Sequence, residues 1–419
     1  MPTLDEWEQA LTTPRTVIVE SSQALVQEVQ QIHAAKDAKR VQDGDPIPPR
    51  KNNLAPVATF APELQVPVVP AYLLERLGVV TTPLIPNLAD LCSTWARLRY
   101  LWAFEIPNPG AQAPRLKLSA EARNIDFHQK GLLSDEIGIG MAALLLGTYF
   151  NAPESVDVSI AMDDGNWQIG QLNRSSPDYL FFDSTKANLF VVECKGTQTS
   201  RSNSLDQVRR GTEQVQSLVF TNRPTPPSLV VATCISKTGT RILLIDPPGD
   251  EDGEKSKERP ERINDREWMI RDTVEFDRST RLFSESKLLS FAGADEAAEN
   301  KLEQTRIMRP TTRRYQRREF EITENEFGRF RGVRQRIGLG DRMNVDVFQA
   351  LDVSIYDALL VDDPAQIDEE TRTFQRRSRA RTATPGVAQP VSTTREDGGL
   401  IVRTAGPDGS LLEIRVSQP

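Results

Sequence analysis

The chain has 419 residues, 38 % hydrophobic and 26 % charged, with a formal net charge of −8. That length holds two or three domains with sizeable cores, the apolar fraction leaves room for linkers, and the acidic balance excludes a surface coated in positive charge without excluding local basic patches. Three widely spaced cysteines (Cys92, Cys194, Cys234), two histidines (His33, His128) and no C-x-x-C pair exclude ordinary structural zinc and fit a reduced, cytoplasmic setting.

The N-terminus, Met-Pro-Thr-Leu-Asp-Glu-Trp-Glu, is acidic and lacks the basic-then-apolar order of a signal peptide. The longest apolar stretch, residues 137–150, is too short for a membrane span and carries Gly138, Gly140 and Gly147, so no membrane partner is expected. Residues 1–115 read as a mainly helical N-terminal region. A polar helix is predicted over 18–41, a Pro- and Asn-rich linker over 42–56, and a helix from Asn87 to about Phe104. In that last helix Leu88, Leu91, Trp95, Leu98 and Trp102 recur at spacings of three and four. Pro107, Pro109 and Pro114 then break the chain.

Residues 116–250 read as an α/β core. Ser134 is placed as the N-cap of a helix with Asp135 and Glu136 in its first turn. Strands are expected over 156–161, 169–172, 178–182 and 189–195. Ser204-Leu-Asp-Gln207 opens a helix as a capping box, running to about Phe220 with Leu205, Val208, Val215 and Val219 on its apolar face. Two more strands, 229–235 and 241–245, flank a Lys-Thr-Gly turn. Residues 251–265 are dense in charge and read as a linker, and 266–371 as a mixed C-terminal region. Residues 372–396 look disordered, and 397–419 form a hairpin around Ala-Gly-Pro-Asp-Gly.

Most of the chemistry lies in residues 177–195. Two apolar runs, 179–182 and 189–192, flank the polar run 183–188, which is the pattern of a β-hairpin. If that run is the loop, Phe182 faces Leu189, Leu180 faces Val191, and Asp178 faces Glu193. Opposed side chains on paired strands have Cβ atoms about 4.5–5.5 Å apart, where like charges repel. A cation between the two carboxylates reverses that sign. Lys195, two residues past Glu193, shares its face. Two acids beside one lysine suit a hard cation such as Mg²⁺ (or Mn²⁺) and metal-assisted hydrolysis of a phosphodiester. The bland alternative is a surface hairpin with an acidic end and a solvated Glu193–Lys195 pair. Cys194 alternates to the opposite face and reads as core rather than nucleophile.

Pro177-Asp178 followed by Glu193-Cys194-Lys195 on the next strand resembles the PD-(D/E)xK nuclease superfamily, over roughly residues 120–250, with no subfamily identified. The resemblance implies a restriction-endonuclease-like core: a mixed central sheet flanked by helices, here between a helical N-terminal and a less definite C-terminal region. It implies a Mg²⁺-dependent endonuclease acting on DNA, with RNA left open; defence against foreign DNA, DNA repair and recombination are roles open to such a nuclease, and the accessory regions outside the core point to defence. Asp178 and Glu193 are then metal ligands together with the main-chain carbonyl of Cys194. Lys195 is the catalytic lysine, and Glu136 an additional acid from the preceding helix. Small residues Gly140, Ala143 and Gly147 on Glu136's face are expected to bring that helix close to the sheet. Gln207, the nearest match to a polar residue contributed by the following helix, reads rather as a capping-box residue.

Residues 306–336 hold ten arginines and four glutamates, interleaved with Tyr315, Phe320, Phe327 and Phe330. Arginines with aromatics suit phosphate contact and base stacking, and paired strands of alternating charge are an equal reading. Candidate nucleic-acid contacts are Lys130, Arg209, Arg210, Arg313, Arg314, Arg317 and Arg318. Residues 372–381 are a second basic run. The alternative function is a catalytically silent nucleic-acid-binding or assembly subunit on a nuclease scaffold. A protein–protein module without nucleic acid is a third. A helicase- or ATPase-like protein partner and a homodimer are both compatible with the chain.

Overall fold

The computed structural model describes residues 2–47, 53–83, 99–108, 111, 113–159, 167–169, 176–183, 188–215, 218–220, 226–246, 268–270, 273–305, 319–338, 343–380 and 389–417. Within them the elements run α1 (Leu4–Thr12), β1 (Arg15–Glu20), α2 (Gln23–Asp43), β2 (Glu63–Val68), α3 (Pro70–Val80), α4 (Phe127–Tyr149), β3 (Glu154–Asp157), β4 (Trp167–Ile169), β5 (Tyr179–Phe182) and β6 (Leu189–Thr197). They continue with α5 (Arg201–Gln214), β7 (Leu218–Phe220), β8 (Ser228–Ser236), β9 (Gly239–Ile245), β10 (Trp268–Ile270), α6 (Thr273–Phe291), α7 (Asp295–Glu303) and β11 (Glu321–Asn325). The last are β12 (Gly328–Gly338), β13 (Asn344–Asp352), α8 (Val353–Val361), α9 (Pro364–Ala380), β14 (Val391–Glu396), β15 (Gly399–Ala405) and β16 (Ser410–Ser417).

The central sheet is mixed, with strand order β2-β1-β9-β8-β6-β5-β3. β3, β5 and β6 are antiparallel neighbours, and β8 joins β6 in parallel after the α5 crossover. Alternation divides the strands between two cores. Tyr179, Phe181, Val192 and Cys194 face α3 and α4, while Leu180, Phe182, Val191 and Val230 face α2 and α5.

The N-terminal region is not a separate helical unit. The β-branched run Thr16-Val-Ile-Val19 forms β1, which pairs in parallel with β9 and brings β2 to the sheet edge. The helix expected over 18–41 therefore starts at Gln23, where Ser22 caps it through the Leu25 N–H. The sheet thus crosses the expected boundary at 116. Residues 48–52, inside the expected linker, lie outside the described residues, as do 84–98, most of the helix placed from Asn87. Ala55, also in that expected linker, bridges to Asp246 beside β9.

The C-terminal region is more ordered than expected. β11 to β16 make a second, six-stranded sheet, so the terminal hairpin β15–β16 is one part of a larger surface. Residues 372–380, expected to be disordered, belong to α9. Its buried Ile367, Thr371, Phe374 and Ser378 recur at helical spacing, and their burial against the sheet outweighs the arginine-rich composition. Residues 391–396 pair as β14. The expected linker 251–265 lies outside the described residues. A buried ionic knot ties this sheet to α3. Arg76 donates to Glu75, to both Asp408 oxygens (2.9 and 3.0 Å) and to Ser410 Oγ.

Candidate active site

The hairpin register is the one the sequence implies: Tyr179 pairs with Val192, Leu180 with Val191, Phe181 with Phe190 and Phe182 with Leu189. The ladder stops there. One step further, Asp178 leaves the strand and its Oδ2 accepts the Cys194 N–H at 2.8 Å. Asp183 N bonds Asn188 O, so hydrogen-bonded pairs fall at 183/188, 181/190 and 179/192 by alternation. The next such pair is Pro177 with Cys194. Proline has no N–H, so the Cys194 carbonyl, pointing the same way as its N–H, loses its ladder donor. Asp178 and Glu193 come together just past the end of the ladder, where the charge of Asp178 acts on Glu193. The Cys194 side chain lies in the α4-side core, as alternation requires.

Glu193 is 0 % exposed. α5 lies directly over it: a Cβ added to Gly211 would sit 3.2 Å from Glu193 Cγ. The carboxylate is ion-paired through Oε1 with Lys195 Nζ, and the Asp178 backbone N–H also acts on it. Burial first, then the Asp178 charge, push the Glu193 carboxyl up to about 8 against the pull of Lys195. Burial also raises Asp178, with Lys195 and the Cys194 N–H opposing and Asp157 and Asp135 adding to the rise. For Lys195 burial acts downward, but Glu193 and Asp178 outweigh it and the net direction is up. The lysine is an ammonium at neutral pH.

The helix before the hairpin begins at Phe127, not Ser134. Asp126 caps it by accepting the His128 and Gln129 N–H groups, and Ser134 bonds back to Lys130 O within the helix. At 23 residues α4 is long and apolar enough to cross a membrane, but 67 % of its apolar stretch is buried in the fold. The new phase changes which acid meets the hairpin. Asp135 interacts with Lys195 and accepts the Gly196 N–H, with burial raising its carboxyl. Glu136 turns to the neighbouring chain segment, where Tyr100 OH donates to its Oε2. The close approach is also displaced. A Cβ on Gly196 would lie 1.8 Å from Ser134 O, and one on Gly138 would lie 2.9 Å from Lys195 O. Gly140 faces Leu73 and Leu77 of α3, and Gly147 faces Pro153 and Pro407. Asp135 and Gly138 are three residues apart, hence on one face, and that spacing was the signal available in the sequence.

Gln207 is not a capping residue. α5 starts earlier, capped by Ser200, and the Gln207 amide donates to Gly196 O at 2.9 Å beside Lys195. Arg209 is buried and engaged by Asp206 and Glu213 at 2.9 and 2.8 Å, so it is not a free phosphate ligand. Arg210 is exposed and ion-paired to Asp206. Lys130 is half-buried on α4, its carbonyl accepting the Gln198 amide at 3.0 Å. Arg313, Arg314, Arg317 and Arg318 lie outside the described residues. Farther along that segment, Arg334 pairs with Glu321 and Glu413, Arg336 pairs with Asp346, and Arg331 stacks on Phe320 and Tyr356.

Among the described residues no group of three or more His, Cys, Asp or Glu side chains is arranged to hold a metal ion. A cation here would rest on Asp178, Glu193, the Cys194 carbonyl and water. This donor set is all oxygen and suits Mg²⁺ or Mn²⁺. The burial of Glu193, and the surplus of carboxylates (Asp178, Glu193 and Asp135) over the single Lys195, fit such an ion. No family model matches this chain, and neither the curated proteins nor the solved structures contain a significant match to it.

Proposed function

We propose that this protein is a metal-dependent nuclease, hydrolysing phosphodiester bonds of DNA on a restriction-endonuclease-like core. The observation that carries the reading is the junction of Asp178, Glu193 and Lys195 where the β5–β6 ladder gives out. The order helix α4, antiparallel strands β3, β5 and β6, helix α5, parallel strand β8 supports it. A bound Mg²⁺ would supply an acidified water and neutralise phosphate charge. The chain's own part is to hold that site. Asp178 is fixed by the Cys194 N–H, Glu193 by the overlying α5, and Lys195 by its ion pair. The Lys195 ammonium can donate to a non-bridging phosphate oxygen and stabilise the charge that grows on it in the transition state. Held as an ammonium, it is an electrostatic group rather than the base.

Supercoiled plasmid and single-stranded DNA, incubated with Mg²⁺, Mn²⁺ or EDTA, test the reading. Cleavage should need metal and vanish in Asp178→Ala and in Lys195→Ala. Equal nicking by the double variant sinks the assignment. A second reading, a nucleic-acid-binding or assembly subunit without catalysis, draws on the complete burial of Glu193. Binding that persists in EDTA, with no cleavage under either metal, favours it.

A further inference from the structure

The acids at the end of the hairpin continue onto the next strand. β3 is the edge strand beside β5, and its register sets Asp157 opposite Tyr179, with the Val158 N–H donating to the Asp178 carbonyl at 3.0 Å. Cross-strand partners share a face, so Asp157 stands on the face of Tyr179, the one that packs on α3 and α4. Glu193 on β6, Asp178 just before β5 and Asp157 at the end of β3 thus form a row across three neighbouring strands, which lie about 4.8 Å apart. The charges of Asp157 and of Asp135, which comes from α4, both act on Asp178.

Asp157 is half-buried and held, but not neutralised. Its Oδ1 accepts the Ser159 N–H at 2.7 Å and the Ser159 hydroxyl. Among the described residues its carboxylate makes no ion pair. The buried Lys287 of α6 donates to Ser155 Oγ at 3.3 Å and to Val80 O at 3.2 Å, and so pins β3 two residues before Asp157. The charges of Lys287 and Asp157 act on each other without meeting.

We propose that Asp157 is a further positioning residue of the site, its Oδ2 accepting a hydrogen bond from a water of the hydrated cation that Asp178 and Glu193 hold. The proposal rests on the metal-dependent nuclease reading and extends that site to the edge strand. No group of three or more acids among the described residues is arranged to hold an ion directly, so Asp157 is not placed as a third direct ligand. Mg²⁺ keeps several of its waters and takes only one or two carboxylates. Those waters are donors in need of acceptors, and a fixed carboxylate one strand away is such an acceptor. The charge that burdens Asp178 in the metal-free protein then attracts the ion.

The bond to Ser159 does not account for the carboxylate. Asparagine makes the same side-chain bond to the backbone two residues on as well as aspartate does. What that turn leaves unexplained is the charge, and the charge is what a hydrated cation uses.

The test reads cation binding rather than cleavage. Calorimetry with Mg²⁺, and separately with hexamminecobalt(III), compares wild type, Asp157→Asn and Ser159→Ala. The ammines of hexamminecobalt(III) do not exchange, so it reports only contacts made through the ligand shell. Asp157→Asn keeps the Ser159 turn and loses the charge, and melting in EDTA should show it cooperatively folded. It should bind Mg²⁺ about 10- to 100-fold more weakly, the usual cost of removing a group that bonds to a metal's ligands, and lose hexamminecobalt(III) affinity as well. Ser159→Ala should bind both cations as wild type does.

Unchanged affinity of Asp157→Asn for both cations, where wild type binds them, overturns the proposal. So does a loss that Ser159→Ala shares, which traces to the turn. A loss for Mg²⁺ alone makes Asp157 a direct ligand and overturns the contact through water. In each of these cases metal-dependent cleavage by wild type leaves the nuclease reading standing. If both cations bind in an Asp157-dependent way but no metal gives cleavage, the placement of Asp157 stands and the nuclease reading fails. If wild type takes up neither cation, both fail.

Discussion

The Lys195 ammonium is held against a Glu193 carboxylate that lies wholly inside the fold. One partner is reachable from solvent and the other is not. The lysine therefore stands at the mouth of the site, and any cation that binds Glu193 must compete with it or with a proton.

The proton has a thermodynamic signature. The Glu193 carboxyl titrates near 4.5 when unfolded and at about 8 when folded. A raised value means the native state binds the extra proton. The resulting stability is complete below about 4.5 and is lost as pH rises through about 8. That interval corresponds to at most roughly 4–5 kcal/mol. Metal-free wild type should melt at progressively lower temperature as pH rises across the window, and Glu193→Gln should remove most of that slope. Parallel slopes in the two proteins would mean that Glu193 is ionised throughout.

Metal binding should release protons. Because a ligating carboxylate must be ionised, Mg²⁺ or Mn²⁺ affinity should climb with pH until about 8 and then level off. Calorimetry in two buffers of different ionisation enthalpy should give heats that differ by close to one proton per metal. Asp178→Asn and Glu193→Gln should each abolish binding. Metal uptake without proton release argues against Glu193 as a ligand.

Asp135 and Glu136 should separate in a cleavage assay. Asp135 couples to Lys195 and the Gly196 N–H, whereas Glu136 is bound by Tyr100. Asp135→Asn is expected to slow cleavage by about tenfold or more, in the range for a charge acting on the reacting centre. Glu136→Gln should cost little rate. The reverse order would restore Glu136 to the site.

Gly196→Ala tests the seat of α4 on β6. A Cβ 1.8 Å from a backbone oxygen cannot be absorbed by rotating a side chain. A loss of about 3 kcal/mol or more in urea unfolding is expected, at the upper end for overpacking. Gly131→Ala, on open space, should be neutral or slightly stabilising, since alanine favours helix.

Arg76→Met tests the knot between α3 and the second sheet. It leaves Glu75 and Asp408 buried without their cation, a loss of roughly 3–5 kcal/mol. Burial already raises the Glu75 carboxyl, against Arg76, whereas for Asp408 the arginine and Ser410 outweigh burial and lower it. Removing the arginine should therefore make unfolding steeply pH-dependent on the alkaline side of both carboxyls. A flat profile would show that the pair is not held ionised by Arg76.

The sequence by itself determined the hairpin, its register and the meeting of Asp178 with Glu193, because strand alternation and a short loop fix cross-strand neighbours locally. It also determined the burial of Cys194, for the same reason. It did not determine which helix acid reaches the site. That depended on where α4 begins, and the cap at Asp126 lies about two turns before Ser134 and three before the apolar run that starts at Ile137. Nor could it show that residues 15–20 and 63–68 complete the central sheet, since parallel pairing with β9 joins segments more than 200 residues apart. Gln207, Gly196 and Gly211 acquired their places only from the crossing of α4 and α5 over β6. Periodicity along a chain records which side of an element is buried. What that side is buried against, and so which charges share a site, is decided by packing between elements distant in sequence.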